Sequence, residues 1–193
     1  MGNIPPVTLA LLGANIAVFL MQLSGAGPGL VQAFALWPGS GFAPWQLVTY
    51  SFLHGGMYHL LFNMIGLYMF GSDIERLFGS RFYAAYYFAA VIVAALSHLV
   101  VTSLMGGTPY PTVGASGGIY GLLFAFGWYF PHRRVMLIFP PIPMSARTFV
   151  IAFAAIELFF GVTGTAAGIA HFAHLGGMLG GWLMIELRRR KRL

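Results

Sequence analysis

The sequence predicts an all-α polytopic membrane protein, a bundle of six transmembrane helices forming a single domain over residues 1–193. Three observations predict it. The chain is 59% hydrophobic and only 7% charged, where a soluble domain carries about 25% charged residues, so most of it must face lipid or other buried helices. It contains six mostly apolar stretches near the roughly 20-residue length of a spanning helix. Laying those six out across a bilayer puts all ten Lys and Arg residues on one side.

The first stretch, about 6–23, opens on Pro5 and Pro6 and has no Lys or Arg before it. It lacks the basic start of a signal peptide and reads as a retained helix. Segment 24–56 is too long for a plain turn. It mixes Pro28, Pro38 and Pro44 with Trp37, Phe42, Trp45 and Phe52. Aromatic rings at that density suit the headgroup level, so the segment is expected to lie partly embedded in the outer leaflet. Further spans follow at about 57–72, 82–104, 115–131, 148–163 and 168–187. Those at 57–72, 115–131 and 148–163 are short or interrupted by glycine, which is tolerated where protein surrounds the helix.

With the C-terminus cytoplasmic, Arg76 and Arg81 lie in the first inside loop and Arg133, Arg134 and Arg147 in the second. Arg188, Arg189, Arg190, Lys191 and Arg192 form the tail, and the outside segments hold no basic residue. Both termini are therefore expected in the cytoplasm. A basic tail directly after an apolar helix meets anionic lipid headgroups, so no nucleic-acid partner is expected despite the net charge of +6. The absence of cysteine excludes disulfides, thiolate nucleophiles and cysteine metal sites.

Polar groups inside apolar spans are candidates for function. Ser116, in Gly114-Ala115-Ser116-Gly117-Gly118-Ile119-Tyr120-Gly121, starts a helix after a Gly/Pro/Thr-rich loop. Free backbone N–H groups there would serve an oxyanion. Taken alone, Ser116 could equally be a satisfied hydroxyl in a small-residue packing seam. A serine also needs a base, and His174 supplies a candidate. It stands in a stripe with Ala170, Gly177 and Gly181 that could meet the bare face of Gly117 and Gly121. No acid is near either residue in sequence, so a serine–histidine pair without a carboxylate is expected, unlike the three-residue template. His171 is expected nearer the outer surface, bonded to loop or water. His59 and Asn63 share a helix face and could donate to the oxyanion. A metal held by His54, His59, His171 and His174 would want a carboxylate on the same helix face. None is present, so neither metal nor cofactor is expected.

These motifs, in this order, resemble those of the rhomboid family of intramembrane serine proteases. The resemblance rests on Gly114-x-Ser116-Gly117 with Tyr120-Gly121, on His59-x-x-x-Asn63, and on Ala173-His174-Leu175-Gly176-Gly177 followed by Gly180-Gly181. Trp45, Phe52-Leu53-His54 and Glu75-x-x-x-Gly79 match the flanking loops, and the likeness runs over roughly 45–182. It implies a rhomboid-like bundle and an endopeptidase that cuts in or beside transmembrane segments of other membrane proteins. Ser116 would be the nucleophile and His174 the base. His59, Asn63 and the Ser116 amide would line the oxyanion hole, Tyr120 would pack on the His174 ring, and Gly114 would support the site. Substrates would be single-span proteins with small, helix-breaking residues near the cut, met in the lipid bilayer, with a bacterial plasma membrane the expected location. The family often has Trp-Arg where this chain has Trp45-Gln46, which puts loop anchoring in question. A non-catalytic relative would usually lack Ser116 or His174, and a solute carrier would show inverted repeats. Glu157, inside the fifth span, could be a gate or relay acid. The favoured expectation is an acid that is protonated or hydrogen-bonded to a neighbouring helix, since its position is not part of the family motif.

Overall fold

The computed structural model describes residues 3–105, 110–137, 140–164 and 170–190. Lys191 and Arg192 of the predicted tail, the start of the last predicted span at 168–169, and the outer-loop residues 106–109 and 165–167 lie outside them. Within the described residues the chain is a helical bundle. Helices α1 (Pro6–Met21), α2 (Gly27–Phe34), α3 (Gln46–Thr49), α4 (Met57–Gly66), α5 (Ser72–Phe78) and α6 (Ser80–Met105) are followed by α7 (Ser116–Tyr129), α8 (Ala146–Thr163) and α9 (His171–Arg190). The inner loop before α8 contains a short antiparallel hairpin, β1 (Arg134–Met136) on β2 (Pro143–Ser145).

Among the described residues, three helical runs are long and apolar enough by themselves to cross a membrane: Pro6–Phe34, Ser80–Met105 and Ala146–Thr163. The first run is broken near its expected end. Gly25, at φ 92°, leaves helical geometry, which glycine can do without a Cβ penalty, and α2 follows directly beyond this kink. Segment 35–56 then folds back in short helical turns. Trp45 and Phe42 stay exposed, while Gln46 is 2% exposed. Its Oε1 accepts the Trp37 and Ala43 N–H groups, each at 3.2 Å, and its Nε2 donates to the Gly41 carbonyl at 3.2 Å. A neutral amide thus anchors this loop where the family often uses arginine.

The second span runs on, through a wide helical turn at Leu67–Gly71, into α5. Glu75 on α5 does a job its sequence position hides. Pro5 and Pro6 leave α1 without a side-chain cap of its own. The Glu75 carboxylate supplies one, accepting the N–H groups of Val7 and Thr8 at 3.0 and 2.7 Å and the hydroxyls of Thr8 and Ser80 at 2.8 and 2.7 Å. An anion against the free N–H groups of a helix start is favourable. Nearby, Arg133 pairs with Asp73 at 2.7 Å, Arg76 donates to the Asn3 carbonyl at 2.9 Å, and Arg188 lies over the Phe82 ring at 4.3 Å. The start of α1, both ends of the α5–α6 corner, the turn after α7 and the end of α9 therefore share one basic end of the bundle.

Helix α9 packs most extensively on α6 and α7. Small residues make this possible: a Cβ on Gly177 would run into the Gly117 carbonyl, and one on Gly121 would lie 2.5 Å from Ala90 Cβ. Backbones approach closely only along such bare faces. At 14 residues α7 is short for a span, but most of its side chains are buried, as a helix surrounded by protein can be. Helix α8 is the least buried of the three long apolar runs, with Ile151, Ile156, Leu158, Phe159 and Val162 exposed.

Candidate active site

The Gly117–Gly177 contact sets the distance between α7 and α9, and with it the geometry of the two side chains at their outer ends. Ser116 is the first residue of α7, so its own N–H is among those with no acceptor inside the helix. The loop that delivers it is fixed by backbone bonds: Thr112 exchanges two with Leu36, each 3.0 Å, and the Gly114 N–H donates to the Tyr50 carbonyl at 3.0 Å. Thr112 Oγ1 also lies 2.8 Å from His98 Nε2. His98 had no motif around it, and the signal that could have found it was its place inside the apolar span at about 82–104. His174, in the first turn of α9, places Nε2 2.8 Å from Ser116 Oγ. The Tyr120 ring, one turn beyond Ser116, stacks on the His174 imidazole with centroids 4.3 Å apart and planes 5° from parallel.

A cavity of about 520 Å³ opens over this pair, lined among others by His59, Asn63, Gly114, Ser116, Tyr120 and His174. His59 Nδ1 accepts the Gly55 N–H at 3.2 Å. An accepting Nδ1 leaves the proton of a neutral imidazole on Nε2, a free donor. That edge of the ring faces Gly114, where φ is 125° and a Cβ would lie 2.7 Å from His59 Cε1. Asn63 donates through Nδ2 to the His59 carbonyl at 2.8 Å. The amide has two N–H bonds, so one remains to donate. His54 takes no part: its ring is buried against Phe19 and His59, with centroids 6.5 and 5.1 Å away.

His171, expected nearer the outer surface, is 7% exposed, and its Nδ1 lies 2.6 Å from Glu157 Oε2. One expectation needs correction. The Ser116–His174 pair is not without a carboxylate. Glu157 Oε1 accepts the Tyr120 hydroxyl and lies 2.9 Å from His174 Nδ1, in a contact bent away from the line of a full hydrogen bond. Glu157 does bond to neighbouring helices, as expected, but the bonds converge on the His174 ring. Glu157 lies 14 residues from His171 and 37 from Tyr120, so a search for an acid near the histidine in sequence misses it. The available signal was that Glu157 is an acid in the middle of an apolar span.

Comparison with known proteins bears on the family. The family model of the rhomboid domain matches residues 42–191. The chain is 32% identical over 204 residues to the mitochondrial Rhomboid protein 1 of Saccharomyces cerevisiae, covering 95% of this chain and 56% of that protein. It is 30% identical over 184 residues to the rhomboid protease GluP of Bacillus subtilis, covering 92% and 34%. It is 29% identical over 188 residues to the rhomboid protease GlpG of Pectobacterium atrosepticum, covering 93% and 61%. The chain thus spans between about a third and three fifths of the length of these relatives. With the domain matched over most of its length and the ordered motifs gathered around one cavity, the chain belongs to the rhomboid family.

Proposed function

We propose that the chain is an intramembrane serine endopeptidase that hydrolyses peptide bonds in or beside the transmembrane segments of other membrane proteins. The observation that carries this is the 2.8 Å contact between Ser116 Oγ and His174 Nε2 on the wall of a cavity shared with His59 and Asn63. His174 Nε2 takes the hydroxyl proton as Ser116 Oγ attacks the scissile carbonyl carbon. The oxyanion is met by the Ser116 N–H, the second N–H of Asn63 and the Nε2–H of His59. His174 then gives its proton to the leaving amine, and the C–N bond breaks. Water repeats the sequence on the acyl-serine, releasing the acid and restoring the hydroxyl. No cofactor is needed.

Depth supports the reading. The 14 residues of α7 rise about 21 Å of a hydrocarbon core of about 30 Å. With the end of α7 at the basic, cytoplasmic end of the bundle, Ser116 stops below the outer surface, and the cavity is its route to water. We place both termini in the cytoplasm and the protein in a plasma membrane. Substrates are single-span proteins whose helices are loosened by small or helix-breaking residues. The test is reconstitution in liposomes with a panel of tagged single-span proteins. Wild type cleaves at least one, and Ser116→Ala cleaves none while remaining folded, since losing one hydroxyl changes stability by no more than about 1 kcal/mol. Cleavage by Ser116→Ala near the wild-type rate would end the proposal.

A further inference from the structure

Glu157 is 6% exposed on a helix whose other faces are apolar. A buried carboxylate is costly unless hydrogen-bonded, and here every partner belongs to the site or touches it. Oε2 meets His171 Nδ1 at 2.6 Å, while Oε1 meets both the Tyr120 hydroxyl and, at 2.9 Å, His174 Nδ1. Tyr120 in turn stacks on the His174 ring. A carboxylate accepts and cannot donate. The Nδ1 atoms of both histidines and the Tyr120 hydroxyl must therefore carry the protons that face it. For His174 this has a consequence. Neutral imidazole with its proton on Nδ1 has a bare Nε2, and Nε2 is the atom 2.8 Å from Ser116 Oγ. The opposite tautomer would present an N–H to Ser116 and could not act as its base.

We propose, resting on the protease reading above, that Glu157 is a positioning residue that holds His174 in the base-competent tautomer and stabilises the imidazolium formed during turnover. Tyr120 and His171 keep the carboxylate in place by occupying its remaining lone pairs. Because Glu157 is carried by α8, which packs on α9 and α7, correct seating of α8 is part of the active arrangement. A purely structural tie between α8 and α9 would require size and hydrogen bonding but not charge, so the two roles separate by substitution. Glu157→Gln keeps size and removes charge; Glu157→Asp keeps charge and shortens the reach.

The experiment measures kcat, KM, fluorophosphonate labelling rate and thermal unfolding for wild type and both variants in the same liposomes. Glu157→Gln is expected to lose roughly 10- to 1000-fold in kcat, less than the roughly 10⁴-fold seen when a soluble triad loses its carboxylate, since the Nδ1 contact here is bent and shared. KM and the unfolding temperature stay near wild type, labelling slows in parallel with kcat, and Glu157→Asp is faster than Glu157→Gln. Unchanged kcat in Glu157→Gln overturns the proposal. So does a loss confined to KM, a loss that tracks unfolding, or a Glu157→Asp variant slower than Glu157→Gln. A wild-type protein that neither cleaves nor labels would instead defeat the protease reading itself.

Discussion

At the residue scale, the site divides its work among groups that differ in how replaceable they are. Ser116 and His174 pair one to one at 2.8 Å, whereas the proposed mechanism offers the oxyanion three donors. Losing one such donor costs on the order of 100- to 1000-fold where few remain. With His59 and the Ser116 amide still in place, Asn63→Ala should slow turnover roughly ten- to a hundred-fold, at the weak end of that donor range. The check is kcat/KM on a cleaved reporter, and an unchanged value removes Asn63 from the mechanism. Residues of this kind were legible in sequence because each lies in a short local pattern, such as His59-x-x-x-Asn63 on one helix face. Glu157 was visible as an anomaly but not as a partner, because its contacts cross from α8 to α7 and α9 and have no fixed spacing along the chain.

At the element scale, helices α7 and α9 could be paired from their glycine stripes, because a bare face on one helix demands a bare face on the other. Helix ends were less legible. The first helix breaks at Gly25, close to where a break was expected, but α2 follows at once in place of an open loop. The Gln22 side chain clamps the His54 backbone beside the kink, with bonds of 3.1 and 2.9 Å. The start of α1 depends on an acid 68 positions away. Burial alone would raise the Glu75 carboxyl, but its four hydrogen bonds outweigh that and hold it below the ordinary glutamate range. A folded-state value below the unfolded one contributes stability at pH above the unfolded value, near 4.3, that is lost as pH falls through the folded value. Glu75→Ala should therefore cost about 2–3 kcal/mol near neutral pH, the worth of charged hydrogen bonds left unmade, with a smaller difference from wild type in strong acid. Thermal unfolding in detergent across pH measures both. Equal stability of the two proteins at neutral pH would show that α1 is held by packing alone.

At the scale of the whole molecule, composition announced a membrane bundle, and the basic residues described here gather at one end of it. What composition could not give is how the proposed hydrolytic site could sit within a bundle so poor in polar groups. The arrangement answers that: a short helix, α7, ends inside the bundle, and the loop before it, the cavity and α9 close around that end. The central claim is that this enclosed end makes Ser116 a nucleophile through His174. His171, one turn earlier on α9, touches Glu157 and not Ser116. The direct measurement is mass-spectrometric mapping of a fluorophosphonate adduct on protein in liposomes, at equal expression of wild type, His174→Ala and His171→Ala. The adduct should lie on Ser116 in wild type, be absent from His174→Ala, and persist in His171→Ala, which should also keep substantial cleavage. An adduct on another residue, or a His174→Ala protein that labels and cuts while His171→Ala is dead, would contradict the account.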